Sequence, residues 1–282
     1  MSEASRPTNP MVLHLQTVPA RNGQLWIRHG MKVFQRRPMA LASLFATFVF
    51  LAFALLLLPG VGIVMVLMAV PLLSLGFMLA THLVLQEKTP TAAVFLAPLR
   101  LTRERRNTQL MLGALYALAT VGISLLSEWV DGGTLEQLQV LMGKEAPATE
   151  IEAVTSDPRL FWGAVTRLGL AGLVSIPFWH APALVHWGGQ GLLQALFSST
   201  LGVWRNKGAF AYNALLWASA VLGLSGVLSV LLGVLGLGQY VALVAMPAGL
   251  LLTTVFYASL YFSFIDCFMF GAPKDLPAAK SE

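Results

Sequence analysis

Residues 39–85 of the chain read MALASLFATFVFLAFALLLLPGVGIVMVLMAVPLLSLGFMLATHLVL, and no Asp, Glu, Lys or Arg interrupts them. About 20 apolar residues of helix cross the hydrocarbon core of a bilayer, so this stretch is long enough for two spans. The dipeptide Pro59-Gly60 divides it, because both residues favour turns. We therefore predict two spanning helices, at 39–58 and 61–85, joined by a tight hairpin.

Uncharged windows recur along the rest of the chain, at residues 107–127, 168–204 and 208–265. Backbone exposed to lipid must satisfy its own hydrogen bonds, so the spans are predicted to be helices and not strands. These windows give four more spans, at 109–127, 163–187, 211–235 and 240–265. The sequence thus predicts an all-α polytopic membrane protein, with six transmembrane helices forming a single membrane domain over residues 21–270.

The composition supports the same class. Hydrophobic residues make up 56% of the 282 residues and charged residues 11%, whereas a soluble domain has about 25% charged residues. The single cysteine, Cys267, excludes an intramolecular disulfide and a multi-cysteine metal site. The net charge of +5 is attributed to topology and to anionic lipid headgroups, so nucleic acid is not expected as a partner.

The distribution of Lys and Arg predicts the orientation. Fifteen of them fall on the side of the two termini, and Lys144 and Arg159 fall in the long connection on the other side. Basic residues concentrate on the cytoplasmic side, and no secretory signal peptide is visible. We predict a bacterial inner (plasma) membrane protein with both termini cytoplasmic. Residues 1–20 are expected to be a disordered tail, 128–162 a mobile external acidic loop with a short helix near 135–141, and 271–282 a second tail.

The six spans also pair into three hairpins. A basic stretch precedes each hairpin, and the returning helix carries Pro71, Pro177 or Pro247 near its middle. This pattern is typical of an internal repeat. It also arises by coincidence, since prolines are common in spans and basic residues flank them, and the sequence leaves both interpretations open.

Amphipathic segments precede the hairpins. On a helical wheel, Arg28, Lys32 and Arg36 fall opposite Ile27, Met31 and Phe34. This pattern predicts either a helix lying in the headgroup plane or one folded onto the protein's own surface. Milder versions occur around residues 190–205 and after Pro98. The expected contacts with anionic headgroups are Arg28, Lys32, Arg36, Arg37, Arg103, Arg105, Arg106, Arg205 and Lys207.

One stretch of the fourth span is a candidate pocket. Residues 177–187 read PFWHAPALVHW, and the two prolines free backbone carbonyls that must be satisfied inside the protein or in a wet cavity. The alternative is an ordinary aromatic belt at the interface. The histidines are six apart and thus about 240° apart on an ideal helix, so no metal site is predicted. The candidate residues are Pro177, Trp179, His180, Pro182 and His186.

Other features of the sequence indicate position or packing and not a reaction. Arg167 and Asp266 lie near span ends, where snorkelling or a headgroup contact accounts for them. Small residues of the fifth span share a face, which indicates close helix packing, either internal or in a homo-oligomer. Those residues are Ser219, Gly223, Gly226 and Gly233, with Ser225 and Ser229 alongside. The sequence contains no nucleotide-binding, metalloprotease or serine-nucleophile motif, so neither catalysis nor a cofactor is predicted.

Several short motifs stand out together along the chain. They are Val18-Pro19-Ala20-Arg21 with Gly23 and Trp26, Gly76-Phe77-Met78, Pro98-Leu99-Arg100, Asp131-Gly132-Gly133, residues 181–185, Ala195-Leu196-Phe197, residues 205–210, and Asp266-Cys267-Phe268 after Tyr257 and Tyr261. As a set they resemble an uncharacterised family of proteobacterial six-helix inner-membrane proteins. The resemblance covers most of the chain outside the termini and the acidic loop. It implies the topology and the location, and it implies no activity, cofactor or catalytic residue.

Two functions follow as hypotheses. The first is a non-enzymatic membrane protein that binds lipid headgroups or a partner at its cytoplasmic face. The alternative is a transporter or channel for a small or lipidic solute, which requires a water-accessible cavity at membrane depth lined by His180 or His186.

Overall fold

The computed structural model describes residues 13–144 and 146–270. In chain order these residues form β1 (Leu13–Leu15), α1 (Asn22–Arg36), α2 (Pro38–Leu56), α3 (Val61–Leu85), α4 (Arg103–Asp131), α5 (Thr134–Gly143), α6 (Ala148–Thr155), α7 (Pro158–Phe178), α8 (Ala181–Gly188), α9 (Leu192–Arg205), α10 (Lys207–Val234), α11 (Val241–Cys267) and β2 (Phe268–Phe270). Short 3-10 turns lie at Ala92–Phe95, Ala97–Arg100 and Gly238–Tyr240.

Among the described residues, six helical stretches are long and apolar enough to cross a membrane: α2, α3, α4, α7 with α8, α10 and α11. The predictions of an all-α polytopic class and of six spans are confirmed. The three prolines lie inside α3, α7 and α11. That the three hairpins are repeats of one another stays a prediction.

The first hairpin turns tightly, as the Pro59-Gly60 pair predicts. Gly60 adopts φ +71°, a conformation that glycine reaches without steric cost. Directly after it, Gly62 lies so close to the Leu55 carbonyl that a Cβ there would collide with backbone. The two glycines therefore allow α2 and α3 to be joined by only four residues, Leu57 to Gly60.

Both described ends lie at the same end of the bundle. β1 and β2 pair antiparallel, with Leu13 opposite Phe270 and Leu15 opposite Phe268, and Gln16 N donates to Cys267 O at 2.9 Å. Disorder predicted through residue 20 is therefore wrong for residues 13–20, because this backbone pairs with the segment that follows α11. The rest of that tail and the tail at 271–282 lie outside the described residues. We call this the terminal end of the bundle and the opposite end the far end.

The acidic segment at the far end contains helices. α4 continues to Asp131, past the predicted span end, and stops where Gly132 and Gly133 adopt φ +63° and +82°. α5 covers the short helix expected near 135–141, and α6 was not predicted. Asp157 begins α7 by accepting a hydrogen bond from Arg159 N at 2.9 Å, and Pro158 occupies the first helical position, where its missing N–H is harmless.

The packed core lies toward the terminal end. α10 buries Ala209, Phe210 and Asn213, all within its first two turns, while the buried residues of α11 run from Thr254 to Cys267 in its second half. α2 likewise buries only Leu41 and Leu44, near its start. The far halves of these three helices are left for lipid.

One face of α1 packs on the protein. For that face, the alternative of a helix folded onto the protein's own surface applies. That face consists of Gly23, Trp26, Gly30 and Val33, all buried against α10 and α11. It differs from the predicted apolar face, in which Met31 remains exposed. The difference arises because glycines, which carry no hydrophobic signal, permit the closest helix contacts.

α9 has the opposite arrangement. It packs through Ala195, Ser199 and Gly202, while Leu193 and Phe197 are 79% and 68% exposed. An exposed apolar face of this kind is typical of a helix in the headgroup plane, one of the two alternatives for the segment around residues 190–205. The third amphipathic segment is not a separate helix, since residues after Pro98 form a 3-10 turn and then the first turn of α4.

Candidate functional site

The fourth span breaks between α7 and α8, within the predicted pocket stretch. In a continuous helix the N–H of His180 would donate to the carbonyl of Ile176. Here the Ser199 hydroxyl lies between them: it accepts from His180 N at 3.0 Å and donates to Ile176 O at 3.0 Å. A side chain of α9 thus satisfies both backbone groups and maintains the break.

The His180 side chain lies in a buried polar cluster. Ser263 Oγ donates to Leu260 O at 2.8 Å, so it must accept from Trp179 Nε1 at 3.3 Å and from His180 Nε2 at 3.1 Å. His180 is fully buried, and its Nδ1 has no partner. The rings of Phe210 and Phe268 lie 5.7 and 5.3 Å from its own. His180 therefore joins α8 to α11 in the packed core.

The other residues of the predicted pocket do not share one site. Gln109 Nε2 donates to Pro182 O at 2.8 Å and so joins α4 to the first turn of α8. His186 is half-buried near the terminal end, with Nδ1 unpartnered. Trp179 lines a small apolar cavity of about 130 Å³. The structure therefore does not bring His180 and His186 together, and a ligand at the predicted pocket stays a prediction.

The residues expected to contact headgroups are mostly free to do so. Eight of the nine are exposed and lie at the terminal end. The exception is Arg105, which is half-buried and donates to His186 O at 3.2 Å. Arg205 is exposed, and its Nε donates to Thr17 Oγ1 at 2.8 Å. Lys207 lies 5.3 Å from the Trp204 ring. The terminal end thus presents a basic surface.

Asp266 has a structural role, and the headgroup contact expected near this span end stays a prediction. Its Oδ2 accepts from Trp26 Nε1 at 2.7 Å and from Asn22 Nδ2 at 2.9 Å. Hydrogen bonds to a charged group are about twice as strong as neutral ones. Asp266 therefore fixes α1 against the end of α11.

α1 forms one wall of an amphipathic groove with α10 and α11. The groove has a volume of about 600 Å³, within the range typical of ligand pockets. Its surface is mainly apolar, and its charged and amide side chains come from α1. The polar side chains are Gln24, Arg28, Lys32 and Gln35, with Ile27 and Met31 beside them, and the apolar wall is Leu216, Trp217, Ala220 and Leu252.

Trp217 adds a polar atom to the apolar wall. Its Nε1 is buried and has no hydrogen-bond partner, and leaving a buried donor unpaired costs about 1–3 kcal/mol. The ring is held by Phe256, whose centroid lies 5.6 Å away in an edge-on arrangement.

A second cavity adjoins the groove. It has a volume of about 220 Å³, lies between α10 and α11, and shares Leu252 with the groove. Its other lining residues include Leu224, Ser225, Leu228 and Ala245. Because Leu252 borders both, the two spaces are neighbours along the cleft between the spans.

A third space lies at the far end. It has a volume of about 310 Å³ and is lined by Glu128, Asp131, Glu136 and Arg167 among others. Arg167 Nε is buried without a partner. Arg167 thus borders a polar cavity between α4, α5 and α7, in addition to lying near a span end as the sequence indicates.

The sequence indicates one wall of the groove, the one on α1, and not the other. The spacing of Arg28 and Lys32 identifies the polar wall, as i, i+4 neighbours on one helix face. The apolar wall carried no usable signal, because Leu216, Ala220 and Leu252 look like any other residues of a spanning helix. Only the packing of α1 across α10 and α11 joins the two.

Six apolar spans, a shared basic end and an amphipathic groove at that end define a polytopic α-helical membrane protein. The chain is 33% identical over 266 residues to a protein of Burkholderia thailandensis named probable inner membrane protein, covering 93% of this chain and 97% of that relative. It belongs to the same family of inner-membrane proteins, and the resemblance drawn from the sequence is confirmed. Neither a family model nor a solved structure matches the chain.

Proposed function

We propose that this integral inner-membrane protein is non-enzymatic and binds anionic lipid headgroups at the cytoplasmic face. The observation that carries the proposal is the cluster of eight exposed Lys and Arg side chains at the terminal end. Each basic side chain near an anionic membrane surface contributes about 1 kcal/mol of attraction. The exposed apolar face of α9, which includes Leu193 and Phe197, supports burial of this end in the interface.

The proposal places the terminal end in the cytoplasm, because Lys and Arg favour that side. Cysteines placed at Gly143 and at Thr89 test this, since both positions are exposed and lie at opposite ends of the bundle. A membrane-impermeant maleimide added outside intact cells is expected to label Gly143→Cys and not Thr89→Cys. The native Cys267 is fully buried and gives the background. Labelling of Thr89→Cys alone would reverse the orientation.

Headgroup binding is tested by native mass spectrometry of the full chain in mild detergent, with equal amounts of phosphatidylglycerol and phosphatidylcholine. The double variant Arg36→Gln, Lys207→Gln is expected to lose about thirtyfold in preference for phosphatidylglycerol, since two attractive charges are removed. The matched control is Lys144→Gln, Arg159→Gln, which removes one Lys and one Arg from the far end. Equal losses in both variants, or no preference in the unmodified chain, would contradict the proposal.

The transport alternative gains no support from the histidines. It requires a wet cavity at membrane depth lined by His180 or His186. His180 is fully buried against Ser263 and aromatic rings, and neither histidine lines any of the four cavities described above. Headgroup binding is therefore the function that we put forward.

A further inference from the structure

We propose that the groove between α1, α10 and α11 holds one anionic glycerophospholipid, with its phosphate at Arg28 and Lys32 and an acyl chain in the cleft between α10 and α11. This inference rests on the proposed headgroup binding and deepens it. The basic surface of the terminal end attracts anionic lipids in general. The groove is the one place on it where we propose that a single lipid occupies a site of defined shape.

The position of the polar wall suits a headgroup. α1 ends at Arg36, and α2 begins two residues later at Pro38 and enters the bilayer, so α1 lies near the interface. Arg28 and Lys32 are exposed and line the groove side of α1, with Gln24 and Gln35 beside them. Two cations and two amides provide donors for phosphate and glycerol oxygens.

The opposite wall suits a hydrocarbon chain. Leu216, Ala220 and Leu252 are interior positions of two spanning helices, so the groove runs from the headgroup level into the hydrocarbon region. A soluble phosphorylated ligand would leave this wall uncovered by apolar surface. The combination of a basic rim with an apolar floor therefore favours a lipid.

The cleft beyond Leu252 gives the chain a path. The second cavity continues between α10 and α11 toward Leu228, and a Cβ built on Gly249 in this cleft would meet open space. No residue in the spanning window of α10 is buried by the protein, whereas 39% of the window of α3 is. α10 therefore leaves this cleft to be filled from the bilayer.

The test uses the full chain in nanodiscs containing a trace of phosphatidylglycerol with a photoactivatable diazirine in mid-chain, followed by peptide mapping of the adducts. We expect adducts concentrated on the α10 and α11 peptides that line the cleft. The variant Ala220→Phe fills the groove and is expected to lower this labelling at least about fivefold. Its matched control is Ala218→Phe, an exposed alanine on the same helix that does not line the groove.

The headgroup is tested with the same probe carrying a phosphocholine. The variant Arg28→Gln, Lys32→Gln is expected to remove the preference of the cleft for the phosphatidylglycerol probe, a loss of about thirtyfold. Labelling spread over all lipid-facing helices, or unchanged by Ala220→Phe, would overturn the groove site. Headgroup binding would still stand in that case if Arg36→Gln, Lys207→Gln lowers the preference for phosphatidylglycerol.

Discussion

The two ends of the bundle are built from equally apolar helices but are held together differently. At the terminal end, buried polar side chains join helices that are far apart in sequence, as when Asn213 Nδ2 donates to Gly23 O at 2.9 Å. At the far end of α10, Leu222 and Val234 are 72% and 83% exposed. Hydrophobicity cannot separate these regions, because lipid is as apolar as leucine. Polar side chains and close glycine contacts decide where the helices pack.

Asn206 provides the largest test of this comparison. It is buried between α9 and α10, accepts from Val18 N at 2.8 Å, and donates to Gln16 O and to Gly202 O, both at 3.0 Å. Asn206→Ala leaves these backbone groups unpaired, so we expect a loss of about 2–4 kcal/mol in stability. Thermal unfolding in detergent, followed by tryptophan fluorescence, measures it.

The matched control is Asn107→Ala, at an exposed position at the start of α4. Its effect is expected to stay within about 0.5 kcal/mol. If Asn206→Ala lowered the stability as little as this control, hydrogen bonds from buried polar side chains would not be what holds the terminal end together.

Alanine substitutions at Gly23 and Gly223 are expected to give the next largest difference in stability. A Cβ on Gly23 would lie 2.8 Å from Asn213 N and still closer to Ala209 O, both backbone atoms that cannot move away easily. Gly23→Ala is therefore expected to push α1 from α10 and to cost about 1–3 kcal/mol. A Cβ on Gly223 meets nothing within 4 Å.

Gly223→Ala is accordingly expected to be neutral or to stabilise by up to about 1 kcal/mol, since alanine is the better helix former. Melting temperatures of the two variants in the same detergent make the comparison direct. Similar destabilisation by both would show that the far half of α10 is packed after all.

The sequence predicted well what depends on the bilayer alone. Span number and the turn at Pro59-Gly60 follow from lengths of apolar residues and from turn chemistry, and both are confirmed. It predicted poorly what depends on contacts between spans. Buried Leu184 and exposed Leu222 are indistinguishable in sequence, since both faces of a spanning helix are apolar and no periodicity marks the core.

The same limit applies to the candidate site. The basic residues were found because charge is rare in this chain and its spacing can be read on a helical wheel. The role of Asp266 was missed because its partners, Asn22 and Trp26, lie about 240 residues away in sequence. The prolines indicated a helix break near His180, but nothing marked Ser199 as the residue that satisfies it.

Ser199 gives a smaller, more specific test of the terminal end. Ser199→Ala removes the hydroxyl between Ile176 O and His180 N, so both groups must remain unpaired or pair directly and straighten the span. Either outcome is expected to cost about 1–2 kcal/mol. The control is Ser198→Ala, on the adjacent, less buried residue of α9. Trp179 lies at the break, so its fluorescence is expected to shift in Ser199→Ala only.

The smallest expected change in stability is at the far end, where self-association through the fifth span stays a prediction. A Cβ on Gly226 would meet open space, and this residue lies on the small-residue face with Gly223 and Gly233. Gly226→Leu is expected to leave unfolding unchanged within about 0.5 kcal/mol, yet to abolish homodimers in native mass spectra, because a bulky side chain keeps two such helices apart. Gly169→Leu, at an equally open glycine of α7, controls for bulk alone. A dimer that survives Gly226→Leu would place any self-association elsewhere and leave the face of α10 to lipid.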